Sequence, residues 1–439
     1  MANYGGSIRI DVAQCNGDMA CMRVCPTEAI RVRGGKARII ESRCIDCGEC
    51  MRVCQTHAIS PITNSFAELS RFDHTVALVP PVLYGQFGPG VMPERVLAAL
   101  ERAGFDCACD LTMACEAVNG ALERYVRNSR GPRPLISCFC PTVLRLIQVR
   151  FPELLGMILP IESPKEIMAR QIRRAKARRL GVAEEQIGVI HLTPCPAEML
   201  DVIGHPGKEK SDIDGVIAIL DIYRTVLSLL PISGKRESGE RTPISGVGLN
   251  WAILGGQTAF LKRENCLAVE GLRNVIRILN DIEMGRLRDS DYVELHACPH
   301  GCVSGCLLVE NPYVARARIL GILGRLGDQA RRSERELAEV CEPGDYLVDR
   351  RLSAQSPGPL DSDVGRAIAK IRRFEEIRQS LPNINCGACG APSCTALADD
   401  VVREEAQTSD CVFVALRQLR SEQTRVWDVP PVEKYGGER

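Results

Sequence analysis

Beyond residue 75 the chain alternates short apolar runs with stretches whose apolar positions recur every three or four residues. Val76–Val79 reads as a buried strand and Pro93–Ala103 as the helix after it. Strands and helices in alternation predict a layered α/β arrangement. Three later apolar runs share a further property, each closing on cysteine and proline: LISCFCP (135–141), GVIHLTPCP (188–196) and YVELHACPHGC (292–302). Ligands of parallel α/β sheets collect beyond the carboxyl ends of the strands, so these three loops are expected to converge on one metal site. Proline fixes φ after the cysteine, and glycine lets the backbone approach a bulky group. Residues 60–75 read as a linker in front of this region. Behind it, EPGDYLVDRRLSAQSPGPLDSD (342–363) has linker composition, followed by a helix to about Leu381.

With 439 residues, 45% of them hydrophobic, the chain can fill about two to four domain cores. No apolar run reaches the roughly 18 residues of a membrane span, and MANYGGSIRID lacks the regions of a signal peptide, so a cytoplasmic protein with no transmembrane segment is expected. Lys plus Arg balances Asp plus Glu at 55 each, which gives no reason to expect nucleic acid as a partner. The basic cluster Arg170, Arg173, Arg174, Lys176, Arg178 and Arg179 is expected to be a solvated helix face, with a docking patch for an acidic redox partner as the alternative.

Cysteine changes the picture most. There are 22, and C-x2-C spacing in an intracellular chain of this size favours metal or redox chemistry over disulfides. Residues 15–59 contain a 29-residue repeat in which Cys15, Cys21 and Cys25 match Cys44, Cys50 and Cys54. This duplication resembles a two-cluster bacterial ferredoxin, in which the fourth cysteine of each run ligates the other cluster. The resemblance implies one cluster on Cys44, Cys47, Cys50 and Cys25, and another on Cys15, Cys21 and Cys54. In register with Cys47 stands Asp18. Asp18 is expected either to bind iron through oxygen or to leave a three-iron cluster, and a plain loop role is the third reading. A labile fourth iron is the expectation at this corner.

The segments SCFCPTVLRLIQVRFPEL, TPCPAEM, LNWAILGGQTA and ACPHGCVSGCLLVENPYVARAR resemble the catalytic domain of [FeFe]-hydrogenases, most nearly their divergent, sensory branch. The resemblance implies an H-cluster, a cubane joined through a cysteine sulfur to a two-iron unit bearing CO and cyanide. Its four cubane ligands would be Cys140, Cys195, Cys298 and Cys302, with Cys302 bridging. Three positions depart from the pattern. Phe139 stands where active relatives carry a proton-donating cysteine, with Cys138 one residue further away. Glu198 replaces a lysine that holds a cyanide by a charge-assisted hydrogen bond, and would repel cyanide unless protonated. Cys306 replaces a small residue. Cys138, Phe139, Glu198 and Cys306 are therefore the pocket candidates, with no catalytic residue assigned. Cys109 and Cys115, with Cys138 and Cys306, could supply thiolates to a different assembly; Cys107, Cys266 and Cys341 are expected to be buried apolar side chains.

The last group, Cys386, Cys389, Cys394 and Cys411, has C-x2-C-x4-C-x16-C spacing and looks like the single-cubane domain of corrinoid iron-sulfur proteins. Zinc is the competing reading for four cysteines. Together these readings predict a two-cluster ferredoxin domain of α+β type (1–62), an α/β hydrogenase-like domain (75–341) and a small helical 4Fe-4S domain (364–425), with about four 4Fe-4S clusters. No output segment is expected after the last cluster. The expected function is electron transfer or redox sensing with a modified H-cluster pocket, in company with a redox partner such as a ferredoxin, flavoprotein or signalling protein. The alternative is a hydrogenase or H2 sensor whose modified H-cluster is assembled, and a third reading is reduction of another small molecule.

Overall fold

The sequence repeat is also a repeat of backbone. The computed structural model describes residues 6–204, 210–230, 244–326 and 360–426, with short pieces between 332 and 358. Cys341 and much of the 342–363 linker lie outside the described residues. At the start stand β1 (Ile8–Ile10), helix Ala20–Val24, β2 (Ile30–Arg33), β3 (Lys36–Ile39), helix Glu49–Val53 and β4 (Ile59–Pro61). Both helices, and the first residues of β2 and β4, are one 29-residue repeat apart. The left-handed residues repeat as well: Gly17 with Asp46, Met19 with Gly48 and Glu28 with His57 all have φ between 50° and 75°. β1 pairs with β4, while β2 runs antiparallel to β3 with Ile30 opposite Ile39.

Packing divides the chain into two units. The first comprises 1–9, 43–52 and 59–356; the second comprises 10–42, 53–58 and 357–439. In the first, β5 (His74–Val79), β6 (Cys107–Asp110), β7 (Leu135–Ile136), β8 (Ile187–Thr193), β9 (Gly215–Ala218), β10 (Cys266–Glu270) and β11 (Tyr292–His296) form two parallel sheets. Their strand orders are β6-β5-β8-β9 and β10-β11-β7. Every residue of β8 and all but the first of β5 are buried, as expected where helices cover both faces of a parallel sheet. The periodic segment after β5 is helix Pro93–Arg102, with proline in its first turn, where a missing N–H costs nothing.

Two expectations need correction. Residues 60–75 are not a plain linker: β4 is followed by a 3-10 turn at Phe66–Arg71, capped by Ser65 and Glu68, and β5 already starts at His74. The basic helix, Pro164–Leu180, is not a uniformly solvated face either. Arg173 meets Asp214 at 2.6 Å, Arg170 meets Glu162 at 3.4 Å and Asp212 at 3.3 Å, and Lys176 is buried. Acidic partners within the fold draw in Arg170 and Arg173, while Arg178 and Arg179 stay exposed.

In the second unit, helices Val364–Ser380, Cys394–Val402 and Val412–Val426 follow one another. Asp363 caps the first by accepting from Arg366 N at 2.8 Å, and Ser393 caps the second by accepting from Ala396 N at 3.0 Å. Ile377, Leu381, Leu397, Ala398 and Val402 make their apolar core.

Candidate metal centres

β7, β8 and β11 carry the three cysteine loops at their carboxyl ends, drawing on both parallel sheets. Pro141 opens helix Pro141–Arg150 directly after Cys140. The Cys195 thiol lies within electrostatic reach of Cys140 and Cys298, and Cys302 within reach of the same two. Burial is the main reason that all four thiols are pushed up, Cys298 to about 12; neighbouring thiols add to the rise at Cys195, Cys298 and Cys302, and Glu198 adds to it at Cys140. Crowded thiols of this kind become thiolates when a cation compensates them, so the donor set fits iron.

Above Cys140 and Cys302 lies a cavity of ≈ 100 Å³. That is room for a few water-sized molecules and well short of the roughly 300–1,000 Å³ of organic-ligand pockets. Phe139 lines it and packs on Trp251, ring centroids 4.8 Å apart. Glu198 lines it too, fixed by His191 Nε2 at 2.6 Å and the Thr193 hydroxyl at 2.8 Å. Burial would push the Glu198 carboxyl up, but nearby Lys165 and His191 with these hydrogen bonds pull it down to about 2. Glu198 is therefore a carboxylate at neutral pH.

Lys165, which sequence reasoning missed, reaches the same cavity from the first turn of helix Pro164–Leu180. Its ammonium is 2.8 Å from Asp201 and 4.0 Å from Glu198. Burial would lower its pKa, yet Asp201 and Glu198 raise it above the ordinary value. The cavity wall thus carries a carboxylate from position 198 and an ammonium delivered by another element. No local motif in the sequence ties Lys165 to Glu198, 33 residues further on.

The extra thiols separate by position. Cys115 lines the cavity. Cys138 points elsewhere, its thiol donating to the Ile161 carbonyl at 3.3 Å. Cys306 lies against the loop of Cys47 and Cys50: a Cβ built on Gly48 would stand 2.2 Å from its Sγ. Cys109 is packed in the apolar core, and Cys107 and Cys266 open β6 and β10, partly buried beside that core.

Cys15, Cys21, Cys54 and Asp18 belong to the second unit, as does Cys25, whereas Cys44, Cys47 and Cys50 belong to the first. Burial pushes the Cys21 thiol up to about 11, with Asp18, Cys15 and Cys54 adding to the rise. Asp18 Oδ1 accepts from Ala20 N at 3.0 Å, closing the turn into helix Ala20–Val24. Backbone nests formed by left-handed residues are common cradles for iron-sulfur clusters, and such residues punctuate these loops. The Ala29 N–H points to Cys25 Sγ at 3.2 Å.

Cys386, Cys389, Cys394 and Cys411 line one small cavity, with Gly387 (φ 77°) and Gly390 (φ 80°) in left-handed backbone. Among the described residues no three Cys, His, Asp or Glu side chains close on a single point.

Sequence profiles of known families match three regions. Residues 73–228 and 253–306 match the iron only hydrogenase large subunit, C-terminal domain; 7–55 match a 4Fe-4S dicluster domain; 381–413 match a putative Fe-S cluster domain. Iron hydrogenase 1 of Clostridium pasteurianum is 22% identical over 48% of this chain and 44% of its own length. The chain is a divergent member of the [FeFe]-hydrogenase-like family. It is an iron-sulfur protein with the α/β hydrogenase core, a ferredoxin-like start and a helical C-terminal region. The periplasmic [Fe] hydrogenase large subunit of Nitratidesulfovibrio vulgaris is 22% identical over 49% of this chain and 62% of its own length. A probable cytosolic Fe-S cluster assembly factor of Culex quinquefasciatus is 22% identical over 48% and 55%. The chain thus spans roughly half the length of these relatives. A solved [FeFe]-hydrogenase superposes on 66% of this hydrogenase-like chain, and 98% of itself, with a TM-score of 0.52 at 16% identity, which shows a shared fold. No described helix is long and apolar enough to cross a membrane.

Proposed function

We propose that this hydrogenase-like protein transfers electrons or senses redox state through iron-sulfur clusters, and that its central pocket keeps a cubane without the usual two-iron unit. The cluster ligands in this reading are Cys15, Cys21, Cys54 and Asp18, the second ferredoxin set, Cys140, Cys195, Cys298 and Cys302, and the four C-terminal cysteines, in regions 1–62, 75–341 and 364–425. The observation that carries it is Glu198, a carboxylate held ionised by His191, Thr193 and Lys165 on the cavity wall. A fixed negative charge opposes anionic cyanide where a lysine would attract it. Phe139, packed on Trp251, supplies no exchangeable proton, and Cys138 donates to the Ile161 carbonyl. The small cavity argues against an organic substrate.

A second reading, H2 turnover or sensing at an assembled but modified H-cluster, is favoured by Lys165, which brings a buried ammonium to the same cavity. Infrared spectra of protein made anaerobically in its native host, with iron and sulfide counted on the same sample, separate the two. Iron for about four clusters with no CO or cyanide bands is the expected result. Bands from both ligands would overturn the first reading and install the second.

A further inference from the structure

The C-terminal four-cysteine lobe is built onto the strand and loop of the first ferredoxin half. Arg31 of β2 and Asp400 of helix Cys394–Val402, 369 residues apart, form a bidentate pair at 2.6 and 2.9 Å with both side chains buried. Arg33 joins the same carboxylate at 2.5 Å. The backbone continues the attachment: Val32 N–H donates to the Gly390 carbonyl at 2.9 Å. A Cβ on Gly390 would stand 1.9 Å from the Val32 oxygen, so only glycine fits there. Beside Cys394, Ser393 Oγ donates to Glu28 Oε2 at 3.1 Å.

The two cysteine loops meet through one side chain. Met22, next to Cys21 in sequence, is 1% exposed. Its Cε would be 3.0 Å from a Cβ placed on Gly387, the residue directly after Cys386. Cys386 itself is exposed. A surface carrying buried, paired charges and interlocked glycine backbone is a fixed one, not a tethered arm.

The geometry points to direct one-electron exchange between a cluster on Cys386, Cys389, Cys394 and Cys411 and the cluster of Cys15, Cys21 and Cys54, across the Met22–Gly387 contact. The inference rests on the reading above that the protein transfers electrons through iron-sulfur clusters, the relay reading. In the step, the reduced C-terminal cluster gives up one electron and the first cluster gains it; no bond forms and no proton moves. A one-electron donor protein reloads the C-terminal cluster at its exposed Cys386 edge. Two paramagnets on cysteine loops that meet through one side chain are expected to feel each other magnetically, because dipolar coupling falls with the cube of distance.

The test is electron paramagnetic resonance of the full chain, produced anaerobically and poised at graded potentials with dithionite. Splitting or accelerated relaxation of the first cluster's signal, growing only as the C-terminal cluster becomes paramagnetic, is expected. In Cys389→Ser/Cys394→Ser, iron should fall by about four per chain and the first cluster's signal should return unsplit. A first-cluster signal whose shape and relaxation stay the same at every potential, in wild-type protein with full iron, would overturn the inference while leaving the relay reading intact. Iron content unchanged by the double substitution would instead overturn the cluster assignment itself, and the inference with it.

Discussion

The two halves of the N-terminal repeat share a backbone and differ in what leans on it. Position 17 in the first half must be glycine because a Cβ there would lie 2.4 Å from the Gly35 carbonyl, whereas its counterpart Asp46 keeps a left-handed φ and accepts from Ser7 N and Oγ at 2.7 Å. Two residues on the constraint reverses: Met19 tolerates φ 64°, while Gly48 is pressed by Cys306 Sγ. Arg31 of the first half takes Asp400; at the matching position of the second half, Ser60 accepts from Arg9 at 3.1 Å. A left-handed position therefore demands glycine where a neighbour presses on it, and each half acquired chemistry from the element packed against it.

The largest break in this symmetry is Asp18 against Cys47, and Asp18→Cys should erase it. We expect about one further iron per chain to survive desalting and any three-iron paramagnetic signal of the oxidised protein to disappear. Iron count and spectrum identical to wild type would mean that the carboxylate was never a weak corner. Next comes the Arg31–Asp400 pair. Asp400→Ala leaves a buried guanidinium uncompensated and should cost about 3–5 kcal/mol, whereas Arg31→Met/Asp400→Leu should recover most of that. The midpoint of anaerobic denaturant unfolding, followed by circular dichroism, reports both; equal losses in the single and double variants would show the charges to be incidental. Gly48→Ala is smaller, about 2–4 kcal/mol, from left-handed strain together with overpacking against Cys306. If Cys306→Ala on the same background restores none of it in the same unfolding assay, the contact is not the cause.

What was legible in the sequence follows from how local each signal is. The strand-end cysteines and helix Pro93–Arg102 are written in spacings of a few residues and the repeat in one of 29, and the backbone honours them. Lys165 was not legible because it precedes Cys195 by a whole helix and reaches the cavity only once β8 and helix Pro164–Leu180 are in place. Cys138 and Cys306 look alike as unassigned thiols, yet one bonds a core carbonyl and the other sits on Gly48; tertiary packing alone separates them. Glu198 was recognised as a departure, but its charge state depends on Lys165 and His191, neither of which lies in its motif. The docking of the C-terminal lobe depends on a pair 369 residues apart, with no periodicity to announce it.

The finest test of the glycine rule is Met19→Gly. Met19 bears φ 64° immediately before helix Ala20–Val24, a conformation that costs a side-chain-bearing residue about 1–2 kcal/mol. Glycine removes that strain but adds about 0.5–1 kcal/mol of unfolded-state entropy to be lost on folding. The two nearly offset, so the unfolding midpoint should move by less than about 1 kcal/mol, in the stabilising direction. Set beside the larger loss for Gly48→Ala, that near-neutrality would show that packing, and not φ, chose glycine in one half and methionine in the other. A loss above about 1 kcal/mol would mean instead that the Met19 side chain holds the first half together, and that the two halves are constrained alike.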